Sequence, residues 1–163
     1  MPIIEPEDTS LKDLRGLHLW HGGLSSCSQR VRIVLAEKGL DWESHVVDMA
    51  AGEHAGAAYQ AIHPKGLVPA MVDAGALLIE SIDIIDHLDR RTPEPPMRPV
   101  EAGEEAEMQA WLAKADAAQA DLKTLSHEFL FQATHKRSPE KLAAFLAGHR
   151  NETLVAFHRE FHS

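Results

Sequence analysis

Four prolines in the seven residues from Pro93 to Pro99 divide this chain into two parts that cannot share a regular element. Proline fixes φ and lacks an amide hydrogen. Thr92-Pro93-Glu94-Pro95-Pro96-Met97-Arg98-Pro99 is therefore neither helix interior nor central strand, and it reads as a stiff, extended connector. Before it, short leucine-rich and β-branched runs alternate with helical patterns; after it no strand signal remains, and Ala, Glu and Leu dominate. The expected organisation is a polar lead-in with little to pack over 1–16, an α/β unit over 17–91, the linker over 92–100 and a helical unit over 101–163.

The first unit reads β-α-β-α-β-β-α. Leu17 to Trp20 is a strand, and Gly22-Gly23 a loop. A helix follows from about Ser28 to Lys38, with Val31, Val34 and Leu35 on one face and Gly39 as its stop. Ser25, Ser26 and Ser28 can each cap it. Glu43 to Asp48 is a second strand, and 50–62 a short, irregular helix. Met71-Val72-Asp73 and Leu77-Leu78-Ile79 flank Ala74-Gly75 as a hairpin, and Ile82 to Arg90 is a helix burying Ile82, Ile84, Ile85 and Leu88. Beyond the linker the spacing predicts one long helix from Glu101 to Gln132. Ser138-Pro139, a cap followed by proline at the first helical position, opens another that runs to the terminus.

With 44% hydrophobic residues in 163, the chain can bury a real core. A net charge of −9 argues against nucleic acid or an anionic membrane as a partner. The acidic N-terminus does not read as a secretory signal, and no apolar run is long enough to span a bilayer. A single cysteine makes no internal disulfide, so a reducing cytoplasm is the expected compartment. Among the 11 histidines, His158 and His162 share a helix face, but Arg159 stands where a zinc-protease motif needs glutamate; no metal site is expected.

The chemistry concentrates in Ser25-Ser26-Cys27-Ser28-Gln29-Arg30-Val31-Arg32, at the start of the first helix. Unpaired amide hydrogens and the helix dipole favour an anion there, a thiolate included. Arg30 and Arg32 could each support an electrophile or pair on the helix surface, and Arg32 reads as the surface pair.

Three motifs in order resemble the glutathione transferases. Ser-Ser-Cys-Ser-x-Arg-Val-Arg at 25–32 is similar to the active-site loop of the zeta class, which includes maleylacetoacetate isomerases and tetrachlorohydroquinone dehalogenases. His63-Pro64-Lys65-Gly66-Leu67-Val68-Pro69 looks like that family's Asn-Pro-x-Gly-x-Val-Pro loop, with His for Asn. Glu80-Ser81 before Ile82-Asp83-Ile84-Ile85 looks like its glutathione-gripping turn. The resemblance implies a thioredoxin-like α/β domain followed by an all-α domain. The latter is expected to be either a fragment or abbreviated, since the chain reaches only what reads as the second helix of a region that continues in the family.

It also implies glutathione as cosubstrate, a small electrophilic organic substrate and a homodimer. Ser25 or Cys27 is then catalytic: the Ser25 hydroxyl would donate to the glutathione sulfur, whereas Cys27 matches the cysteine that forms a mixed disulfide in the dehalogenases. A structural role for Cys27 as a small buried residue stays open. Ser26, Arg30, Lys65, Val68, Pro69, Glu80 and Ser81 are expected to bind glutathione. In that set Pro69 is cis and presents the Val68 backbone, Glu80 accepts from the α-ammonium, and Ser81 holds the α-carboxylate. Conjugation, isomerisation and thiolytic displacement all remain open, as does a non-catalytic binding module. The cut-off helix pair would leave Leu142, Phe145, Leu146, Leu154, Phe157 and Phe161 poorly covered.

Overall fold

A computed structural model describes residues 3–131 and 136–162. A five-stranded sheet of order β1-β5-β4-β2-β3 forms from β1 (Ile3–Ile4), β2 (Leu17–His21), β3 (Glu43–Val46), β4 (Ala70–Asp73) and β5 (Ala76–Ile79). Only β2 and β3 run parallel, joined by α1 (Ser26–Glu37); the other pairs are antiparallel. Alternation along the strands sends Leu17, Leu19, Met71 and Leu78 to one face. There they pack on Val31, Val34 and Leu35 of α1 and on Ile84 and Leu88 of α3 (Ser81–Arg91). Ile82 and Ile85 are only half-buried.

The opposite face, Ala70, Val72, Leu77 and Ile79, is covered by Tyr59 and Ile62 of α2 (Ala57–Ile62) and by Leu11. The lead-in therefore packs, contrary to expectation: β1 pairs with β5, and Leu11 on a short 3₁₀ turn is buried. Its apolar residues are too sparse to show a period, and the uncovered sheet face recruits them.

The linker is held rather than merely stiff. The Lys38 side chain, 0% exposed at the end of α1, pairs with Asp89 at 2.6 Å and donates to the carbonyls of Thr92 and Pro95 at 2.7 and 2.8 Å. Arg98 adds ion pairs to Asp86, Asp89 and Glu105.

The expected long helix is broken into α4 (Ala102–Ala117) and α5 (Gln119–Leu125), and continues as a π-helical turn over Ser126–Phe131. Nothing local signals this break, since Ala118 is of the best helix-forming type. Gln132, the expected end, lies outside the described residues. The second expected helix is also two, α6 (Pro139–Gly148) and α7 (Glu152–His162). Asn151 explains the division: its side chain accepts from the Leu154 amide at 3.2 Å and caps a new helix. Ser138 caps α6 as expected.

Docking of this α6–α7 hairpin on the first unit buries Phe145 and Leu154 against Ala55 and leaves Leu142, Leu146, Phe157 and Phe161 half-buried. The expectation of a poorly covered face there is thus corrected. Exposed apolar surface lies instead on the preceding helices, at Trp111, Leu125, Phe129 and Leu130. Among the described residues no helix is long and apolar enough to cross a membrane.

Candidate functional site

Ser25 is the N-cap of α1. Its backbone is extended at φ −67° and ψ 120°, and its Oγ accepts from the Ser28 amide at 3.2 Å. A hydroxyl has two acceptor lone pairs and one hydrogen, so capping leaves the Ser25 hydrogen available to a ligand atom. Space around Gly22 shows what lies beside it: a Cβ there would meet Met49 at 3.1 Å, Val68 at 3.3 Å and Ser25 at 3.4 Å. Ser25 and the Val68-Pro69 step, which is cis, thus border one spot at the helix start. Ser26 Oγ and Cys27 Sγ both face Gln119 Oε1, at 3.1 and 3.5 Å. Cys27 is the second residue of α1 and is half-buried.

Arg32 is not a helix-surface pair. Its guanidinium donates to the Gly22 and Gly23 carbonyls at 3.1 and 3.0 Å and to His21 Nδ1 at 3.0 Å. Because arginine only donates, His21 Nδ1 must accept, which leaves Nε2–H to donate to Ser44 Oγ at 2.8 Å. Burial, then Arg32, then His45 hold the His21 pKa below its ordinary value, in keeping with this neutral tautomer.

A second helix start lies next to the first. Glu80, the residue before α3, has φ 69° and ψ 113°, a backbone that a side-chain-bearing residue adopts at a cost of about 1–3 kcal/mol. Such strain persists where surrounding structure imposes it, and here it holds the half-exposed carboxylate beside Lys65 at 2.6 Å. Ser81 is buried, and its Oγ accepts from Arg30 Nη1 at 2.8 Å. Hydroxyl, helix-start amides and guanidinium therefore converge on one place suited to a carboxylate, with an anionic side chain adjacent. Glu80, Ile82 and Asp83 form one wall of a cleft of about 340 Å³ whose other wall is Gln109, Leu112, Ala113 and Asp116 of α4. That volume is at the small end of ligand sites, about 300–1,000 Å³.

The loop from His63 to Pro69 completes the arrangement. His63 Nδ1 accepts from the Lys65 amide at 3.3 Å, the job an asparagine oxygen would do, and this accounts for histidine in an Asn position. An accepting imidazole must be neutral; burial pushes the His63 pKa down to about 4, against an opposing pull from Glu80. Gly66 sits at φ 58°, and a Cβ there would lie 2.7 Å from both His149 Nε2 and the His54 carbonyl. Gly66→Ala is expected to cost about 2 kcal/mol or more, from left-handed backbone strain plus the clash. Chemical denaturation measures it, and an unchanged midpoint would count against this packing.

The sequence pattern of the glutathione S-transferase N-terminal domain matches residues 24–91. Residues 24–91 are a glutathione S-transferase N-terminal domain. The chain is 43% identical over 83 residues to glutathione S-transferase Z1 of Arabidopsis thaliana, covering 51% of this chain and 38% of that protein. It is 51% identical over 74 residues to maleylacetoacetate isomerase of Pseudomonas aeruginosa, covering 44% and 35%. Among solved structures, human glutathione S-transferase T1-1 superposes with a TM-score of 0.67 at 28% identity, covering 85% of this chain and 59% of that one. A zeta-class bacterial maleyl pyruvate isomerase gives 0.61 at 29% identity, covering 86% and 64%. The matches to these two curated relatives thus reach across little more than a third of either protein.

Within the glutathione S-transferase domain, the residues expected to bind the peptide fall into two groups, Ser25 with Val68-Pro69 and Arg30 with Ser81, alongside the Lys65–Glu80 pair. Lys65 is engaged with Glu80, so a ligand ammonium would share that carboxylate with it. Gln119 and Arg32 were not identified from sequence as site residues. Gln119 stands in an alanine-rich stretch with no motif around it, and its role exists only because α5 folds over the start of α1. Arg32 follows Arg30 by two, a spacing that looks like surface charge until the Gly22-Gly23 loop curls beneath it.

Proposed function

We propose that this chain binds glutathione across the starts of α1 and α3 and directs its thiolate at a small electrophilic organic molecule, in conjugation, isomerisation or displacement. The observation that carries this reading is the Glu80-Ser81 turn. A carboxylate on strained backbone stands beside a buried hydroxyl that already holds a guanidinium at 2.8 Å. A free amino-acid end needs an anion for its ammonium and donors for its carboxylate, and this turn offers both. The Val68 backbone would take the cysteinyl unit, which brings the sulfur toward Ser25. A free thiol titrates near pH 8.5; one hydroxyl donor and the α1 dipole together favour its thiolate at neutral pH. Family relationship supports glutathione as the ligand. In this reading residues 17–91 and 101–163 act as the two walls of the site, across the 92–100 linker, in a cytoplasmic homodimer.

Cys27 supports a second reading, a mixed disulfide with glutathione during substrate reduction, because its sulfur lies in the first turn of α1, 3.5 Å from Gln119 Oε1. Calorimetric titration with glutathione tests what the two readings share. Wild type binds, and Glu80→Ala weakens binding about 10- to 100-fold, the worth of a charged hydrogen-bonded pair. Absence of binding by wild type would end both. Loss of turnover in Cys27→Ala with Ser25→Ala fully active would select the second.

A further inference from the structure

The α6–α7 hairpin packs on residues 53–60 and reaches the following loop at Lys65 and Gly66. Gln60, 1% exposed on α2, donates to the Gly148 carbonyl at 2.7 Å and accepts from the Arg150 amide at 2.8 Å, gripping the corner between the two helices. From that corner Asn151 donates to the Lys65 carbonyl at 3.3 Å, and His149, its Nδ1 fixed by the Asn151 amide at 3.1 Å, faces the Gly66 backbone. The corner therefore holds the loop from outside. The apolar core of this contact is small: Ala55, Phe145 and Leu154. Leu67 and Leu146 pack at its edge, and buried imidazoles flank it. His54 (2% exposed) lies 5.1 Å from the Phe145 ring, and His158 (5% exposed) lies 4.7 Å from it. His54 Nδ1 and His158 Nδ1 have no hydrogen-bond partner among the described residues.

We propose that the α6–α7 hairpin is a clamp that sets the position of the Lys65–Pro69 loop, and that its seam of buried imidazoles makes the clamp open in mild acid. The charged and titratable groups facing the seam come from every element around it. Arg137, His149 and His158 face His54; Arg137, His127, Lys123 and His54 face His158. Arg137 stacks over Phe145 at 4.2 Å and Lys123 over Phe157 at 4.0 Å. Glu128, Glu160 and Lys136 line the neighbouring cleft with His127, Phe157 and Phe161. A proton on either buried ring would thus place a cation beside Arg137 in apolar surroundings.

The direction follows from linkage. Burial first and Arg137 next push His54 down to about 4 and His158 to about 3, whereas a released imidazole titrates near 6.5. Between pH 6.5 and 4 the released state binds more protons than the clamped one. Clamping therefore weakens as pH falls, by up to about tenfold per pH unit for each ring and about 30-fold per ring at pH 5.

That the loop holds glutathione rests on the proposed function; the clamp itself is tested without any ligand. Hydrogen exchange of the full chain is compared at pH 7 and pH 5 after correction for intrinsic rates. Residues 54–67 and 139–162 are expected to lose protection together at pH 5, by about 100-fold or more, while β2, β4, β5 and α3 stay protected. The double variant His54→Met and His158→Met, filled by a pliable apolar side chain, should keep that protection at pH 5. Retained protection in wild type, loss spread evenly over the chain, or a double variant that behaves as wild type would each overturn the proposal. Should the double variant not fold, imidazole NMR titration of wild type decides: His54 and His158 titrating near 6.5 with the seam still protected refutes it, and titration only as the seam opens sustains it.

Discussion

Lys38→Met is expected to lower the unfolding free energy by about 3 kcal/mol, the low end of what breaking a buried ion pair from one side costs. The Lys38 ammonium satisfies the Asp89 carboxylate and two linker carbonyls, and its side chain has no exposure to water. Methionine replaces the stem but none of the three bonds. Asp89 keeps the Met97 amide at 3.3 Å and an ion pair with Arg98 at 3.2 Å, which is why the low end is expected. Thermal and urea denaturation measure the loss. Adding Asp89→Leu should recover part of it, since an apolar pair leaves no stranded charge. A Lys38→Met protein as stable as wild type would mean that the linker is not anchored here. Because the linker sets how α4 approaches α3, the same variant should also change the cleft between them.

Ser25→Ala is expected to reduce glutathione-dependent turnover by about 100-fold or more, the usual loss when one donor to a developing or held anion is removed. The same change deletes the α1 cap and costs about 1 kcal/mol of stability. The two effects separate by choice of replacement. Ser25→Asp restores a cap but has no hydrogen to donate, so stability should return while turnover stays low. Ser25→Thr supplies both and should recover much of each. Activity that follows stability across the three variants would reduce Ser25 to a structural cap. Activity indifferent to all three would transfer the sulfur chemistry to Cys27.

The separation matters because capping and thiolate binding use different parts of one hydroxyl. Ser25 Oγ caps the helix by accepting from the Ser28 amide at 3.2 Å; the donor role is the proposal. Gln119 bears on the alternative. An amide oxygen 3.1 Å from Ser26 Oγ and 3.5 Å from Cys27 Sγ accepts from both, so the Cys27 sulfur is already engaged by α5.

Much of the first unit was legible in its residues for local reasons. Strand alternation, a serine cap, turn glycines and helical periodicity act over a few positions, so they appear in sequence without knowledge of partners. The Ser25, Val68-Pro69 and Glu80-Ser81 groups stand out in sequence as candidates because each is a contiguous motif. What could not be read depends on residues far apart: Lys38 with Thr92 and Pro95, Gln119 with Cys27, Gln60 with Gly148 and Arg150. Each looks like an ordinary surface residue until folding brings its partner to it.

The proline run by itself fixed that two units must be joined by something that is neither helix nor strand, because φ and the missing amide hydrogen are properties of the residue. Where those units sit was decided only by tertiary structure. A lysine more than fifty residues upstream anchors the linker, and a glutamine on α2 grips the corner of a distant hairpin. Buried charge and buried amides have no favourable state without a partner, so the fold that supplies the partners also chooses the arrangement.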